Sequence, residues 1–492
     1  MPDASKGAHS AVRARAWGAL VFALTFGALA WLWIDRATGF PIEFDAYENL
    51  TAAYNLVHHG VMSIEDAPDA APQPSEHREP LPILALAAYL AAIDPLLGEA
   101  PLAELASGAP ARLLKYSNIP WAVLLTLVLY GSVLRWTGSH GWAAFCTLAV
   151  HAQLAYQYDF LYSEIAAAAL LALSSATAAL AVERRRPFYW LLAGLLFGAM
   201  ALTKAAFFYV ALVCIAGLIL WRLWCRLRAS EAVTPYAPLA LVLGMGIVVA
   251  PWMLRNYIHF DTPTLSGRGG IVLLTRALKN GMSAEEYRGA WFAYAPRPLR
   301  RLTGKLTGFD DRDLKDGGRL VRLVRFASPA DRPAMEQGRP EQAVSYYARA
   351  NAMRTELERL HPQASEVEID RMLKARAMAL LRADPWAHVA TTPLFLWRGA
   401  PYTLLILGVG LVYACYRRQA WLCVYVAPAL LLLGFYGAVS HFIPRYAEPA
   451  WPVAAVVFAI LAHAAWRTLR KRAGRRTRET ELAQAPLMEA GR

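Results

Sequence analysis

The chain has 492 residues, 57% of them hydrophobic, with a mean hydropathy of +0.30 and a formal net charge of +13. So apolar a composition excludes an ordinary soluble domain. The positive charge reads as Lys and Arg retained on the cytoplasmic side of a membrane rather than as a nucleic-acid surface. The five cysteines (Cys146, Cys214, Cys225, Cys415 and Cys423) lie in or beside apolar segments, which is no pattern for a disulfide framework.

Apolar runs of about 17–25 residues, the length that crosses a bilayer as helix, recur along the sequence. The first, Trp17–Ile34, follows a short basic leader, shows no cleavage pattern and is long enough to stay in the membrane. Spans are predicted at 17–34, 118–136, 140–157, 161–182, 189–203, 205–224, 236–256, 394–415, 420–440 and 446–467. The run from Leu81 to Leu97, flanked by Pro80, Pro82 and Pro95, is an eleventh candidate. Charge decides its fate. With Arg13 and Arg15 in the cytoplasm and 81–97 not crossing, Arg135, Arg184–Arg186, Arg222–Arg228, Arg417, Arg418 and the tail from Arg467 all fall inside. If 81–97 crosses, Arg184–Arg186 lies outside, so the positive-inside rule selects about ten transmembrane helices. The 81–97 run then lies along the outer interface or re-enters.

This is an all-α polytopic membrane protein. Residues 1–256 form a transmembrane module whose first outer loop is 35–117. Residues 257–393 are an outer loop domain, 394–467 hold the C-terminal spans, and 468–492 form a basic cytoplasmic tail. Within the loop domain, Arg339 to Leu381 has helical periodicity, and Pro362 divides it into two helices. The tail from Lys471 reads as disordered.

On this topology a set of polar groups shares the outer face. Asp45 follows span one, Arg78 opens the 81–97 run, Asp159 ends span three and Glu164 opens span four. Lys204 joins spans five and six, Arg255 ends span seven, and Arg445 joins the last two spans. Ionisable groups at membrane depth default to functional hypotheses. Acids and bases alternating at one level fit a site that binds an anionic phosphate and activates a hydroxyl. Each residue also has a plainer reading. Asp45 fits as the N-cap of a helix over 46–57, and Asp159 and Glu164 as helix-start acids. Lys204 and Arg255 fit as snorkelling side chains, and Arg445 as an interfacial anchor. His58-His59 and Glu76-His77 match no closed zinc spacing. The sequence holds no Gly-rich phosphate loop, nucleophile elbow or HExxH helix.

Several segments resemble the membrane-embedded GT-C glycosyltransferases, and within them the protein O-mannosyltransferase-like group (glycosyltransferase family 39), which includes the aminoarabinose transferases of lipid A. They are Asp45-Ala46-Tyr47 with Ala53-Tyr54-Asn55-Leu56 and Gly60, then Arg78-Glu79-Pro80-Leu81-Pro82 and Tyr162-Ser163-Glu164. Gly194–Ala199 with Leu202-Thr203-Lys204, Pro251-Trp252 with Arg255-Asn256-Tyr257, and Pro444-Arg445-Tyr446 with Pro449 follow. The resemblance implies two juxtamembrane helices between the first two spans. It also implies an inverting transfer from a polyprenyl-phosphate sugar to a lipid, glycan or protein hydroxyl, at the periplasmic face of a bacterial inner membrane. It assigns Asp45 to acceptor activation, with Asp159 as second acid and Glu164 as its nearby alternative. Arg78 would contact donor phosphate, with Lys204, Arg255 and Arg445 as further phosphate or sugar contacts. Tyr47 and Tyr446 are taken as substrate-binding. No cofactor is required and no metal ligand is assigned, although two meeting carboxylates are compatible with a divalent cation. The partners are the lipid-linked donor, the acceptor and membrane lipids, not nucleic acid. The chain departs from the mannosyltransferase branch at Ala46, where many members carry Glu, and residues 276–383 match no part of the family. The competing readings are a transporter or flippase of a lipid-linked intermediate, an O-antigen ligase-like enzyme, and a catalytically silent homologue.

Overall fold

The computed structural model describes residues 4–66, 71–98, 100–228, 234–267 and 269–484. They form helices and connecting loops, with no strand among them. Among the described residues eight helices are long and apolar enough to cross a membrane, or nine if one bent pair counts as a single span.

The count differs from the ten expected for identifiable reasons. His140–Gln153 has 14 residues and Pro187–Ala201 has 15. At 1.5 Å per residue these reach only about 21–23 Å, short of a hydrocarbon core of about 30 Å. The predicted span 394–415 is two helices, Pro385–Gly399 and Pro401–Tyr416, bent by 104°. Proline drives the residue before it out of helical geometry, and Ala400 sits at φ −152°, ψ 43°. The first of these helices straddles residue 393. Pro80–Leu97, expected not to cross, is long and apolar enough to do so. It packs against Asp45–His59. These two helices coincide with the pair expected between the first two spans. The final helix runs from Trp451 to Gln484, so the expected disorder from Lys471 is not found up to that point, and 485–492 lie outside the described residues.

The most enclosed span is Glu164–Arg184, 78% buried by its neighbours. It packs on Pro187–Ala201, Ala420–Val439, Ile119–Thr137 and the 3-10 turn Pro444–Ala450. Its alanines, Ala166 to Ala169 among them, let these neighbours approach closely. Its first residue, Glu164, is therefore held in the middle of the bundle.

The closest helix pair is Pro187–Ala201 with Ala237–Phe260. At Gly194 a Cβ would overlap the Leu241 carbonyl, and at Gly244 one would overlap the Leu191 carbonyl. Lipid offers no hydrophobic drive for helices to associate, so such backbone contact is a main source of their attraction. Beyond residue 270, Gly270–Leu278, Tyr346–Leu360 and Glu366–Ala383 share a small apolar cluster around Leu274, Leu357 and Leu373. Pro362 lies between the last two, as the sequence predicts, and Ser365 with Glu368 forms a capping box that starts the second.

Gly194→Val and Gly244→Val are each expected to destabilise the folded protein by about 1–3 kcal/mol through overpacking. Gly246→Ala, on the same helix but with open space around it, is expected to be near neutral. Thermal unfolding in detergent distinguishes the three.

Candidate functional site

Asp45 is the first residue of the Asp45–His59 helix, so its carboxylate sits at the positive end of the helix dipole. It is not the N-cap expected from the sequence; Phe44 holds that position, without a side-chain cap bond. Instead, Asp45 Oδ1 accepts from Arg78 Nη2 at 2.8 Å and Oδ2 accepts from Arg445 Nη2 at 3.1 Å. Arg78 Nε also donates to Glu48 Oε2 at 2.7 Å, one turn further along the same helix. Arg445 Nε lies 3.2 Å from Glu164 Oε1, and the same oxygen lies 3.1 Å from Lys204 Nζ. The result is a chain of alternating sign: Glu48, Arg78, Asp45, Arg445, Glu164, Lys204. It joins three carboxylates and three cations drawn from separate parts of the fold. Arg445 additionally lies 4.7 Å over the Tyr162 ring.

Two backbone features aim this chain. Phe44, one residue before Asp45, has φ 52°, and Phe442, three before Arg445, has φ 29°. Neither is glycine, so both are strained, and strain of this kind tends to collect where side chains must be aimed. Phe442 is fully buried and its ring packs where a Cβ on Gly399 would sit. The break at Gly399–Pro401 thus makes room for the ring that sets the turn carrying Arg445.

The loop carrying Arg78 is fastened from several directions. Leu81 N donates to Leu202 O at 2.9 Å, and Glu79 Oε1 accepts from Ala205 N at 3.1 Å. These bonds dock the loop beside Lys204. Arg255 Nη1 donates to Ser75 O at 3.0 Å while its guanidinium lies over the Trp252 and Phe260 rings. Glu76 accepts from Thr262 and Thr264, and its backbone carbonyl accepts from Gly267 N. Burial raises the Glu76 carboxyl above its ordinary pKa, partly offset by those two hydroxyls.

Of the residues singled out in the sequence, Asp45, Arg78, Glu164, Lys204 and Arg445 come together. Asp159 does not join them. Its Oδ1 accepts from Thr38 N and Thr38 Oγ1 and from Lys115 Nζ at 2.8 Å. Lys115 is 1% exposed and also donates to the Thr38 and Phe40 carbonyls. This network clamps the chain as it leaves the first helix. Arg255 likewise acts on the loop of Arg78 rather than on the ion-pair chain. Tyr47 donates to Asp66 Oδ2 at 2.6 Å, and burial with this bond pushes its phenol up to about 12. The Tyr446 ring stacks on Tyr436 with centroids 4.9 Å apart.

Sequence reading missed Glu48, Glu448 and Lys115. Glu48 follows Asp45 by three residues, a helical spacing that puts both on one face and was readable. Glu448 is 2% exposed, accepts from Tyr156 Oη, and accepts from Gln157 Nε2 at 2.6 Å. It lies in a 3-10 turn, which no periodicity announces. Among the described residues no group of three His, Cys, Asp or Glu side chains is arranged to hold a metal ion. His58 pairs with Asp94 at 3.8 Å, and His77 lies between Glu48 at 3.6 Å and Glu366 at 3.0 Å.

No protein-family model matches the chain, and no curated protein matches it in sequence. Among solved structures it is similar to the archaeal oligosaccharyltransferase AglB from Archaeoglobus fulgidus, in complex with an inhibitory peptide and a dolichol-phosphate. The identity is 14% and the TM-score 0.46, over 96% of this chain and 53% of that one. The chain spans about half the length of that protein.

Lys115→Met is expected to leave Asp159 and two carbonyls without their buried partner. It should lower stability by about 3 kcal/mol, the low end for a broken buried pair because Asp159 keeps some solvent. Asp159→Asn retains acceptor capacity and should cost less. The unfolding temperatures of the two variants give the comparison.

Proposed function

We propose that the chain is a GT-C membrane glycosyltransferase that moves a sugar, with inversion, from a polyprenyl-phosphate donor to a lipid, glycan or protein hydroxyl. In this reading the site faces the periplasm of a bacterial inner membrane, and residues 257–393 cover it. The observation that carries the proposal is Asp45 held between Arg78 and Arg445, each guanidinium on a different carboxylate oxygen.

Two guanidiniums converging on one carboxylate are also two guanidiniums able to receive a phosphate. Arginine binds phosphate through paired N–H groups and stays charged at membrane depth. A donor phosphate entering here competes with Asp45 for both bases. As they turn to the phosphate, Asp45 loses its neutralising neighbours and becomes a stronger proton acceptor. The acceptor hydroxyl oxygen then attacks the anomeric carbon. The bond from that carbon to the phosphate oxygen breaks, the electron pair leaves with the lipid phosphate, and the hydroxyl proton passes to Asp45. Arg78 and Arg445 neutralise charge growing on the leaving phosphate, commonly the largest single contribution to catalysis. Glu164 holds Arg445 and Lys204 in place, and Glu48 does the same for Arg78. Asp159 and Arg255 take positioning roles in this reading, because their bonds go to the loops that flank the site. The hydrogen-bonded phenol of Tyr47 and the stacked ring of Tyr446 remain available to border the sugar.

Proteoliposomes containing the protein, a panel of polyprenyl-phosphate sugars and an envelope extract test the reading. Wild-type protein should consume one donor and yield a product whose mass names the sugar and acceptor. Asp45→Asn should slow turnover ~10²–10⁴-fold with folding intact. Full transfer by that variant would remove Asp45 from the chemistry. Arg78→Ala should raise the donor concentration needed for half-maximal rate, and an unchanged dependence would remove Arg78 from the phosphate site.

A further inference from the structure

A second group of bases gathers around His441, on the turn that carries Arg445, and among the described residues none of them is ion-paired with an acid. Lys279 is 3% exposed, and its ammonium makes one hydrogen bond, to Tyr294 Oη at 3.2 Å. It otherwise faces the Tyr294 and Phe395 rings, 5.4 and 5.6 Å from their centroids. Arg398 lies 4.6 Å over the same Tyr294 ring and donates through Nη1 to the His441 carbonyl at 3.0 Å. His441 Nδ1 is buried without a hydrogen-bond partner. The His441 ring sits between Tyr347 and Tyr446, at 6.5 and 6.1 Å. Arg325, exposed, lies 4.1 Å over Tyr347 and marks the surface end of the group.

Buried cations are almost always paired. Among the described residues none of Lys279, Arg398, Arg325 or His441 forms an ion pair with a carboxylate. Glu286, whose charge reaches Tyr294, is engaged through Oε2 by Ser283 N, Tyr346 Oη and Arg322, and its Oε1 is buried without a partner; neither oxygen is hydrogen-bonded to Lys279, Arg398 or His441. Arg276, fully buried 4.2 Å over Phe395, adds positive charge but is saturated by Gly437 O, Asn280 Oδ1, His388 O and Thr392 Oγ1. Its role is structural. Lys279, Arg398 and His441 are not saturated. Burial, followed by the charges of Arg398 and Arg276, pushes the Lys279 amine well below its ordinary pKa. Ring faces give part of the missing compensation, since cations bind their negative quadrupoles. They do not accept directed hydrogen bonds from three different donors.

We propose that Lys279, Arg398, His441 and Arg325 form an oxyanion site that takes a phosphate group of a substrate, separate from the Arg78–Asp45–Arg445 site. A phosphate offers several acceptor oxygens, matching the N–H groups that Lys279 and Arg398 leave without acceptors and an imidazole nitrogen without a partner. His441 is four residues from Arg445, so one turn of chain serves both sites. Which molecule carries the phosphate rests on the glycosyl-transfer reading; the site itself does not. The group belongs either to the lipid donor or to the acceptor.

The test uses the full-length protein in detergent and reads binding, not transfer. Inorganic phosphate is titrated by calorimetry and by thermal unfolding against wild type, Lys279→Met, Arg398→Gln and Arg445→Gln. Phosphate should raise the unfolding temperature of wild type and of Arg445→Gln. Lys279→Met should be more stable than wild type without phosphate, because a buried amine with a single hydrogen bond is gone, and should lose the phosphate-induced rise. Arg398→Gln, half-buried and less demanding of the fold, should weaken phosphate binding by about tenfold. Phosphate affinity unchanged in both Lys279→Met and Arg398→Gln would overturn the proposal, as would loss of binding in Arg445→Gln alone or no binding to wild type. Undecaprenyl phosphate and a sugar monophosphate are then titrated into Arg398→Gln. The donor is the source if the first is weakened, and the acceptor if the second is.

Discussion

Asp45 is the constraint from which the site is built. A carboxylate beside the hydrocarbon region is stable only with its charge met, and Asp45 meets it with two arginines that arrive from opposite ends of the sequence. Arg78 comes from the loop before Pro80 and Arg445 from the turn before Trp451. Each arginine in turn needs its second acid, Glu48 for one and Glu164 for the other. The alternation follows from this: no member can be removed without leaving a neighbour of unmatched charge in a weakly hydrated place. The ion-pair chain therefore acts as a fastener between the Asp45–His59 helix, the buried Glu164–Arg184 helix and the last span.

The surrounding fold is arranged to let that fastener close. The Ala-rich span keeps Glu164 central because small side chains bring the adjoining helices close. The helix break at Pro401 leaves a space that the Phe442 ring fills, and the strained turn through Phe442 delivers Arg445. On the other side, Arg255 and Glu76 hold the Ser75–Glu79 loop so that Arg78 reaches Asp45. Irregular backbone at three places, Phe44, Gly399–Pro401 and Phe442, is thus tied to two charged side chains.

What was legible in the sequence follows the same division. Apolar length identified an all-helical polytopic protein, while the positive-inside pattern led to ten spans where eight or nine helices qualify among the described residues; the positions of isolated charges next to apolar runs singled out Asp45, Arg78, Glu164, Lys204 and Arg445, which the fold brings together. Those signals are local. The placement of Asp159 was not legible, since its partner Lys115 is 44 residues away and its partner Thr38 is 121 away. Nor was the role of Glu448, whose 3-10 turn has no periodicity to read. The break at Pro401 was visible as a proline but was absorbed into a continuous apolar run, because hydropathy averages over the one residue that matters. Pro362 was read correctly because a polar, periodic segment on both sides made its interruption plain.

The two basic groups differ in a way that bears on what each does. Around Asp45, among the described residues, three cations alternate with three acids, so a ligand must displace something to enter. Around Lys279, among the described residues, cations face aromatic rings without an ion-paired acid, so an anion bound there would supply the missing charge. Entry of an anion into the first arrangement must exchange one of these ion pairs. The second is lined by cation–π contacts whose strength, about 0.5–2 kcal/mol each, is smaller than that of a charge-assisted hydrogen bond network. An exchangeable ion-pair chain suits a step in which a base must be released at the moment a phosphate arrives. A charge-deficient group suits steady capture of an anion that takes no part in bond breaking. Only three residues, Phe442 to Pro444, separate His441 from Arg445, so an anion held at the second group would act on the backbone that aims the first.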